Sequence, residues 1–178
     1  MTSLRDRLRA VFGGSPPREP HPRTERVDCV APWLYIGPAL SPTGVESLGR
    51  RGVTHVIDLR AEGSDDPAVM ERVGLRWRRV PIPDREAPSD EQIDSIVRWL
   101  DGEADSSGDQ AVYLHCHAGV SRTPTVAIAL LMHQDLTLAE ARRLVFAARP
   151  EVAPTDRQMD WLQALERRLR GGARPAGR

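Results

Sequence analysis

Lysine is absent from this chain of 178 residues, and all 25 basic side chains other than histidine are arginine. Because the bias runs along the whole chain, we interpret it as a property of the genome and not of a binding site. Cysteine is scarce too: Cys29 and Cys116 cannot build a disulfide framework, which predicts a reduced, cytoplasmic setting. No apolar run reaches the ~18–20 residues that a membrane span needs. The charged N-terminus also lacks the apolar core of a signal peptide.

The formal net charge is zero, so we expect no stable nucleic-acid binding. The charge is uneven along the chain, however. Residues 1–26 hold six arginines and three acids in a segment with Pro and Gly, which predicts a basic extension and linker. Residues 27–168 are acidic overall and have the length of one domain with a full core. Residues 169–178 carry three arginines and no acid, and we predict a disordered basic tail there.

Residues 1–12 have the pattern of a short basic amphipathic helix. Leu4, Leu8, Val11 and Phe12 share one helical face, and arginines lie elsewhere. Such a helix can lie on an anionic membrane, but one alone binds weakly. A frayed terminus, or a small helix packed on the domain, explains the pattern better, so membrane contact through this segment is not our expectation.

Segments with strand and helix patterns alternate through the predicted domain. The predicted strands cover residues 33–37, 53–59, 75–82 and 111–114, and the predicted helices cover 43–51, 70–73, 124–132, 138–148 and 159–169. A further helix begins after Ser89, and Gln92 three residues later completes a capping box. This alternation predicts an α/β domain with a central, mostly parallel sheet flanked by helices.

One loop between a predicted strand and a predicted helix carries the chemistry, the stretch HCHAGVSRT at residues 115–123. Backbone N–H groups in such a loop converge beside the positive end of a helix and bind anions. The same field stabilises a thiolate, which makes Cys116 a candidate nucleophile. Arg122 adds a planar fork for two phosphate oxygens, and Gly119 fits a tight turn with positive φ. The stretch therefore predicts an anion cradle with a nucleophile at its floor.

This stretch and the residues after it resemble the motif of the dual-specificity phosphatases, within the cysteine-dependent protein tyrosine phosphatase superfamily. The segments WLYIG, VTHVIDL and PIPD are similar as well, so the resemblance spans about residues 27–168. It implies the three-layer fold of that superfamily and a phosphatase without metal or other cofactor. It also implies that Cys116 attacks phosphorus to form a phosphocysteine while Arg122 clamps the phosphate. The backbone amides that would complete the cradle belong to His117, Ala118, Gly119, Val120, Ser121 and Arg122.

The resemblance also points to a general acid. Asp84 lies in a Pro-bounded loop 32 residues before Cys116, at the place of the family's acid. Its rivals are Glu86, Asp90 and Asp58. Asp90 is better explained as an acid in the first turn of a helix.

Three residues next to Cys116 or Arg122 are candidates for supporting roles. By resemblance, the Thr123 hydroxyl hydrogen-bonds the thiolate, and the residue also fits a helix N-cap. We expect His115 to orient the loop through hydrogen bonds. Ser121 either contacts the loop or faces solvent.

The leading prediction is a phosphatase that acts on phosphotyrosine, and also on phosphoserine or phosphothreonine, in phosphoproteins or phosphopeptides. Phosphoinositide hydrolysis is disfavoured because the loop contains no lysine, and RNA 5′-phosphate hydrolysis because residues 27–168 are acidic. A phosphate-binding pseudophosphatase is disfavoured by the intact set of Cys116, Arg122, Thr123 and Asp84. A sulfurtransferase or arsenate reductase is disfavoured by the loop length and the lack of shuttle cysteines.

Two further features have two explanations each. Cys29 is either a structural thiol, which we favour, or a partner that traps the oxidised nucleophile. The arginines Arg76, Arg78 and Arg79 either recognise an acidic substrate or belong to a solvated strand edge, which we favour.

Overall fold

The computed structural model of the chain describes residues 25–102 and 110–171. Within these ranges, five strands and six helices follow one another in the predicted alternation. The strands are β1 (Asp28–Ala31), β2 (Leu34–Gly37), β3 (His55–Arg60), β4 (Arg76–Ile82) and β5 (Val112–His115), and the helices are α1 (Pro42–Arg50), α2 (Pro67–Val73), α3 (Asp90–Gly102), α4 (Arg122–Met132), α5 (Leu138–Ala148) and α6 (Asp156–Gly171). The sequence pattern does not predict β1, because Asp28 and Pro32 leave an apolar run of only three residues between them.

The strands form one sheet in the order β1-β2-β5-β3-β4. β2, β5, β3 and β4 run parallel, and β1 is antiparallel to β2 at one edge. The mostly parallel sheet is therefore confirmed. β4 forms the other edge, which explains how it contains Pro81, since a proline cannot donate to a central ladder.

Helices cover both faces of the sheet and create three layers. α1 and α2 pack on one face, where Val45 and Met70 meet Val56 and Tyr113. α3, α4, α5 and α6 pack on the other face, which Ile57 joins. Val56 and Ile57 are adjacent in β3 and belong to different apolar clusters, as expected for a strand buried on both sides. Every residue of α4 is buried, so this helix lies at the centre of its layer.

The folded domain extends beyond the predicted boundaries at both ends. Glu25 Oε1 accepts a hydrogen bond from Ser41 N at 2.9 Å, so the domain begins before residue 27. α6 continues to Gly171, because Leu169 still packs against the apolar core. The predicted linker and tail are therefore shorter than residues 1–26 and 169–178.

The capping box predicted for α3 is confirmed. Ser89 N donates to Gln92 Oε1 at 2.8 Å, and Gln92 N donates to Ser89 Oγ at 3.2 Å. A second capping box, formed by Thr137 and Glu140, begins α5. These caps satisfy amides that a helix otherwise leaves without partners.

The predicted amphipathic helix at residues 1–12 lies outside the described residues. Of the helices that the structure describes, none is both long and apolar enough to cross a membrane.

Candidate active site

Three loops meet at the carboxyl ends of the sheet strands, because the parallel strands β3, β4 and β5 all end on that side of the sheet. Glu62 follows β3, Asp84 follows β4 and Cys116 follows β5. Together with the connection between α5 and α6, these loops line a cavity of about 1330 Å³. The lining residues are 61–62, 83–86, 116–118, 120–122 and 153–157. We call residues 116–122 the cysteine loop and residues 83–86 the acid loop.

Groups outside the cysteine loop hold its carbonyl oxygens. The hydrogen bonds are Ala39 N to His117 O (3.0 Å), Arg149 Nη2 to Ala118 O (3.2 Å), Arg149 Nε to Gly119 O (3.1 Å), Ala153 N to Val120 O (2.8 Å) and Thr125 Oγ1 to Ser121 O (2.8 Å). Arg149 is buried and supplies two of these bonds, while its Nη1 pairs with the buried Asp28 at 2.9 Å. No motif marks Arg149 in the sequence, so sequence reasoning missed it.

The amides of the same loop have no such partners. Within the described parts of the chain, no backbone N–H of residues 117–122 donates a hydrogen bond to another residue. A trans peptide points its carbonyl and the following amide in opposite directions. Because the carbonyls bond to groups outside the cysteine loop, the amides point to the inside of the loop. α4 begins at Arg122, with the positive end of its dipole beside them. This array is suited to bind a tetrahedral anion.

Gly119 allows the cysteine loop to close. Its φ is +70°, as the sequence predicts, and a side chain there is strained. A Cβ atom on this residue would also lie 2.5 Å from the carbonyl carbon and oxygen of Gly37 at the end of β2. Both the turn and the close approach of the two backbones therefore require glycine.

Arg122 lies beside Cys116 and is only 2% exposed. Its Nη1 and Nη2 donate to the two carboxylate oxygens of Glu62, at 2.7 Å each, and Nη1 also donates to Ile82 O at 3.1 Å. The buried Nε has no hydrogen-bond partner among the described residues. A buried donor without a partner costs about 1–3 kcal/mol. An oxygen of a bound anion would supply the missing acceptor.

Glu62 orients the guanidinium from the loop after β3. The hydrogen bonds from Arg122 lower the pKa of Glu62 from 4.5 to about 2, so the carboxylate is charged at neutral pH. Sequence reasoning did not identify Glu62, because 60 residues separate it from Arg122 and the pairing is purely tertiary.

Asp84 lines the cavity, whereas two of the other candidate acids, Asp58 and Asp90, do not. Asp84 is 67% exposed, and its Oδ1 lies 3.1 Å from Nη2 of Arg122. Glu86 also lines the cavity, but it pairs with Arg157. Asp58 is fully buried and Asp90 pairs with α6; neither lines the cavity. Of the four carboxylates considered as acid, only Asp84 contacts the arginine.

His115 ends β5 directly before the cysteine loop and contacts the first residue of that loop. Its Nδ1 lies 3.2 Å from Cys116 O, and its Nε2 lies 2.8 Å from Asp65 Oδ2. Asp58 also lies here, and one ligand atom from each of the three side chains falls within 4.8 Å of the others. However, the Arg60 guanidinium bonds to both carboxylates at 2.6–2.9 Å. A cation of the protein therefore already occupies both carboxylates, and we do not interpret the cluster as a metal site.

Two expectations for the start of α4 are wrong. The helix begins at Arg122, with Ser121 in the cap position, so Thr123 does not cap it. The Thr123 hydroxyl is buried and has no hydrogen-bond partner among the described residues, so the expected bond to the Cys116 sulfur is not formed. Ser121 is half-buried, and its hydroxyl bonds to α6 and not to its own loop. Its Oγ donates to Gln158 Oε1 of α6 at 2.8 Å.

Cys29 lies in β1, away from the cysteine loop. In the sheet register, Cys29 pairs with Tyr35 of β2, and Tyr35 pairs with Tyr113 of β5. Two strand spacings therefore separate Cys29 from β5. That is about 10 Å, more than the roughly 7 Å that a disulfide can span between Cα atoms. Burial raises the pKa of the Cys29 thiol. Both observations support a structural thiol.

The arginines of β4 contact the protein itself. Arg78 donates to Ser95 O at 3.2 Å, and Arg79 donates to the carbonyls of Arg60 and Ala61 at 3.0 and 2.8 Å. None of the β4 arginines lines the cavity. Recognition of an acidic substrate by these residues is therefore not supported.

The comparisons with known proteins agree with this geometry. Residues 38–135 match the model of the family described as "Tc-R-P: Polymorphic toxin system, DSP-PTPase phosphatase". The chain is 35% identical to dual specificity protein phosphatase 12 of Mus musculus over 134 residues, which cover 74% of this chain and 38% of that protein. It is 33% identical to dual specificity protein phosphatase 26 of Bos taurus over 152 residues, which cover 82% of this chain and 69% of that protein. The chain thus spans well under half of the mouse protein.

Solved structures show the same fold. The crystal structure of Tk-PTP in the active form matches with a TM-score of 0.71 and 29% sequence identity, covering 80% of this chain and 97% of that chain. The crystal structure of PTPMT1 in complex with PI(5)P matches with a TM-score of 0.73, covering 83% and 99%, but at 17% identity it shows the fold alone.

Proposed function

Because this chain belongs to the dual-specificity phosphatase family, within the cysteine-dependent protein tyrosine phosphatase superfamily, we propose that it hydrolyses phosphate monoesters on proteins. The substrates are phosphotyrosine and also phosphoserine or phosphothreonine, and the intermediate is a phosphocysteine. One observation carries the proposal. The cysteine loop places a nucleophilic side chain at the base of a cradle whose six amides and Arg122 Nε have no partner among the described residues.

In the first step, the Cys116 thiolate attacks phosphorus in line with the leaving oxygen. The S–P bond forms as the P–O bond to the substrate breaks, and the Asp84 carboxyl transfers its proton to the departing oxygen. The inward amides and Arg122 stabilise the charge on the equatorial oxygens of the transition state. This step leaves a phosphocysteine, a free hydroxyl on the substrate and an ionised Asp84.

In the second step, water attacks the phosphocysteine. The new P–O bond forms as the S–P bond breaks, and the Asp84 carboxylate accepts the proton of the water. Inorganic phosphate leaves, and the thiolate and the protonated acid are restored. Before each cycle the substrate phosphate must take its place at Arg122 beside Asp84 and Glu62, which both contact the guanidinium.

The charges around the cavity favour a single phosphate group on a protein. Its charged lining consists of three arginines and four carboxylates, namely Arg85, Arg122, Arg157, Glu62, Asp84, Glu86 and Asp156. A polyphosphorylated headgroup or an RNA end would bring further negative charge against these carboxylates. A phosphorylated side chain needs only the cradle. PTPMT1, whose structure contains PI(5)P, shares the fold, so phosphoinositides remain a control substrate.

The test is phosphate release by the wild type and by Cys116→Ser on four substrates. These are a phosphotyrosine peptide, a phosphothreonine peptide, vesicles that contain a phosphoinositide, and a 5′-phosphorylated RNA. We expect release from the peptides, none with Cys116→Ser, and peptide binding that the variant retains. Release by Cys116→Ser contradicts the phosphocysteine mechanism. Faster release from vesicles or RNA contradicts the substrate class, and binding without release by the wild type indicates a pseudophosphatase.

A further inference from the structure

Gln158 lies in the first turn of α6 and is fully buried. The sequence shows no motif around it. Burying an amide side chain is unfavourable unless hydrogen bonds replace its contacts with water. The partners of Gln158 therefore indicate what the residue does.

Those partners belong to both halves of the site. Gln158 Oε1 accepts hydrogen bonds from Ser121 Oγ of the cysteine loop and from Thr155 N, at 2.8 Å each. Its Nε2 donates to Glu86 O of the acid loop at 2.9 Å. One side-chain amide thus connects the two loops directly. In sequence, Gln158 is 37 residues from Ser121 and 72 from Glu86.

Neighbours of Gln158 strengthen this connection. Thr155 Oγ1 donates to Arg85 O at 3.2 Å, and Arg157 pairs with Glu86. Arg85 has a φ of +64°, an uncommon conformation for a residue with a side chain. These contacts hold the acid loop at that residue and at the next one, directly after Asp84.

Gln134 shows that burial of a glutamine does not by itself produce such a network. It is 3% exposed, and its amide nitrogen and oxygen have no hydrogen-bond partner among the described residues. It follows the end of α4, at the opposite end of that helix from the cysteine loop. It is therefore a matched control for replacement of a buried glutamine.

We propose that Gln158 is a positioning residue that holds the acid loop at a set distance from the cysteine loop, so that Asp84 reaches the oxygen leaving the phosphorus. The inference rests on the proposed function and adds to it a residue that acts through Asp84. Phosphate binding depends on the cysteine loop, so the effect of Gln158 falls on proton transfer to the leaving group.

The test is kcat/KM for phenyl phosphate and 4-nitrophenyl phosphate. The phenolate is the poorer leaving group and needs the proton, whereas the nitrophenolate departs with little help. We expect Gln158→Met to reduce kcat/KM for phenyl phosphate by about 10- to 100-fold, and for 4-nitrophenyl phosphate by less than about 3-fold. Gln134→Met should leave both values within about 2-fold of the wild type, since it contacts neither loop.

Two further variants separate positioning from general damage to the fold. Gln158→Glu keeps the acceptor for Ser121 and Thr155 and removes only the donor to Glu86. It should show the same selective loss, and it serves where the Met variant does not fold. In an Asp84→Asn background, Gln158→Met should cost less than about 3-fold more on phenyl phosphate, because the group that it positions is already gone.

Equal losses on both substrates, with either Gln158 variant, overturn the inference. A full further loss in the Asp84→Asn background also overturns it. Failure of the proposed function has a different result, since wild-type phosphate release would then be no faster than release by Cys116→Ser.

Discussion

The two loops of the site are built in opposite ways. The cysteine loop lies between a central strand and a buried helix, and hydrogen bonds from outside hold five successive carbonyls. The acid loop follows an edge strand, and Asp84 is two-thirds exposed. Three neighbouring residues at the start of α6 hold the loop, namely Thr155, Arg157 and Gln158. Damage to the first loop should therefore abolish binding and chemistry together. Damage to the second should change only how well a leaving group is protonated.

Gly119→Ala should cause the largest loss. The added methyl group must occupy the space of the Gly37 carbonyl, 2.5 Å away, on a backbone with φ of +70°. The strain and overlap together cost about 3 kcal/mol or more. We expect kcat/KM to fall by more than about 1000-fold for both aryl phosphates. A 1 Å displacement of the cradle can cost about 100-fold in rate, and the loss of even one hydrogen-bond donor to the transition state costs about 100- to 1000-fold. The control is Gly102→Ala, whose added Cβ has no atom of the described residues within 4 Å apart from its own chain neighbours. Activity retained by Gly119→Ala contradicts this prediction.

Asp84→Asn tests the other loop. The amide occupies the same space but has no acidic proton to give, so kcat/KM for phenyl phosphate should fall by about 100- to 10,000-fold. The loss for 4-nitrophenyl phosphate should be much smaller, because its leaving group is more stable as an anion. Asp156→Asn, at another carboxylate that lines the same cavity, is the matched control. A loss of equal size on both substrates would assign the acid role to another group.

Arg149→Met should remove part of the hydrogen bonding that supports the cysteine loop. The change removes the donors to Ala118 O and Gly119 O and leaves the buried Asp28 paired with the one-third exposed Arg26. We expect the two carbonyls that lose their donors to cost about 1–3 kcal/mol each in unfolding free energy. In the folded fraction, both aryl phosphates should lose kcat/KM equally, since the acid loop is untouched. Arg26→Ala, which removes the other, one-third exposed partner of Asp28, should cost under about 1 kcal/mol.

Glu62→Gln should produce the smallest effect, visible in the pH dependence of stability. Folding lowers the pKa of Glu62 from 4.5 to about 2, so its contribution is fully present above pH 4.5 and is lost as the pH falls toward 2. Urea unfolding of wild type and variant across this range measures the difference in unfolding free energy. We expect a constant difference near neutral pH that shrinks between pH 4.5 and 2. A difference that does not change with pH would mean that the charge of Glu62 is not what stabilises the pair.

Much of the fold was predictable because its signals are local. The apolar periodicities give the alternation of strands and helices, and the Ser89–Gln92 capping box lies within four residues. β1 was not predictable, since its four residues become a strand only by pairing with β2. Glu25 was assigned to the linker for the same reason, because it joins the domain through a contact distant in sequence.

The candidate site likewise contains residues that the sequence predicts and residues that only the tertiary structure identifies. By itself, the sequence determined the chemistry-bearing stretch: Cys116 and Arg122 are close in the chain, and the positive φ of Gly119 is a local property. Only the tertiary structure decided what holds that stretch in place. Glu62, Arg149 and Gln158 lie at least 30 residues from the groups that they bind in the cysteine loop. Hydrogen bonds act over about 3 Å of space whatever the separation along the chain. The proposed catalytic residues can therefore be predicted from the sequence. The residues that support them are identified only in the tertiary structure, where the sheet brings distant loops together.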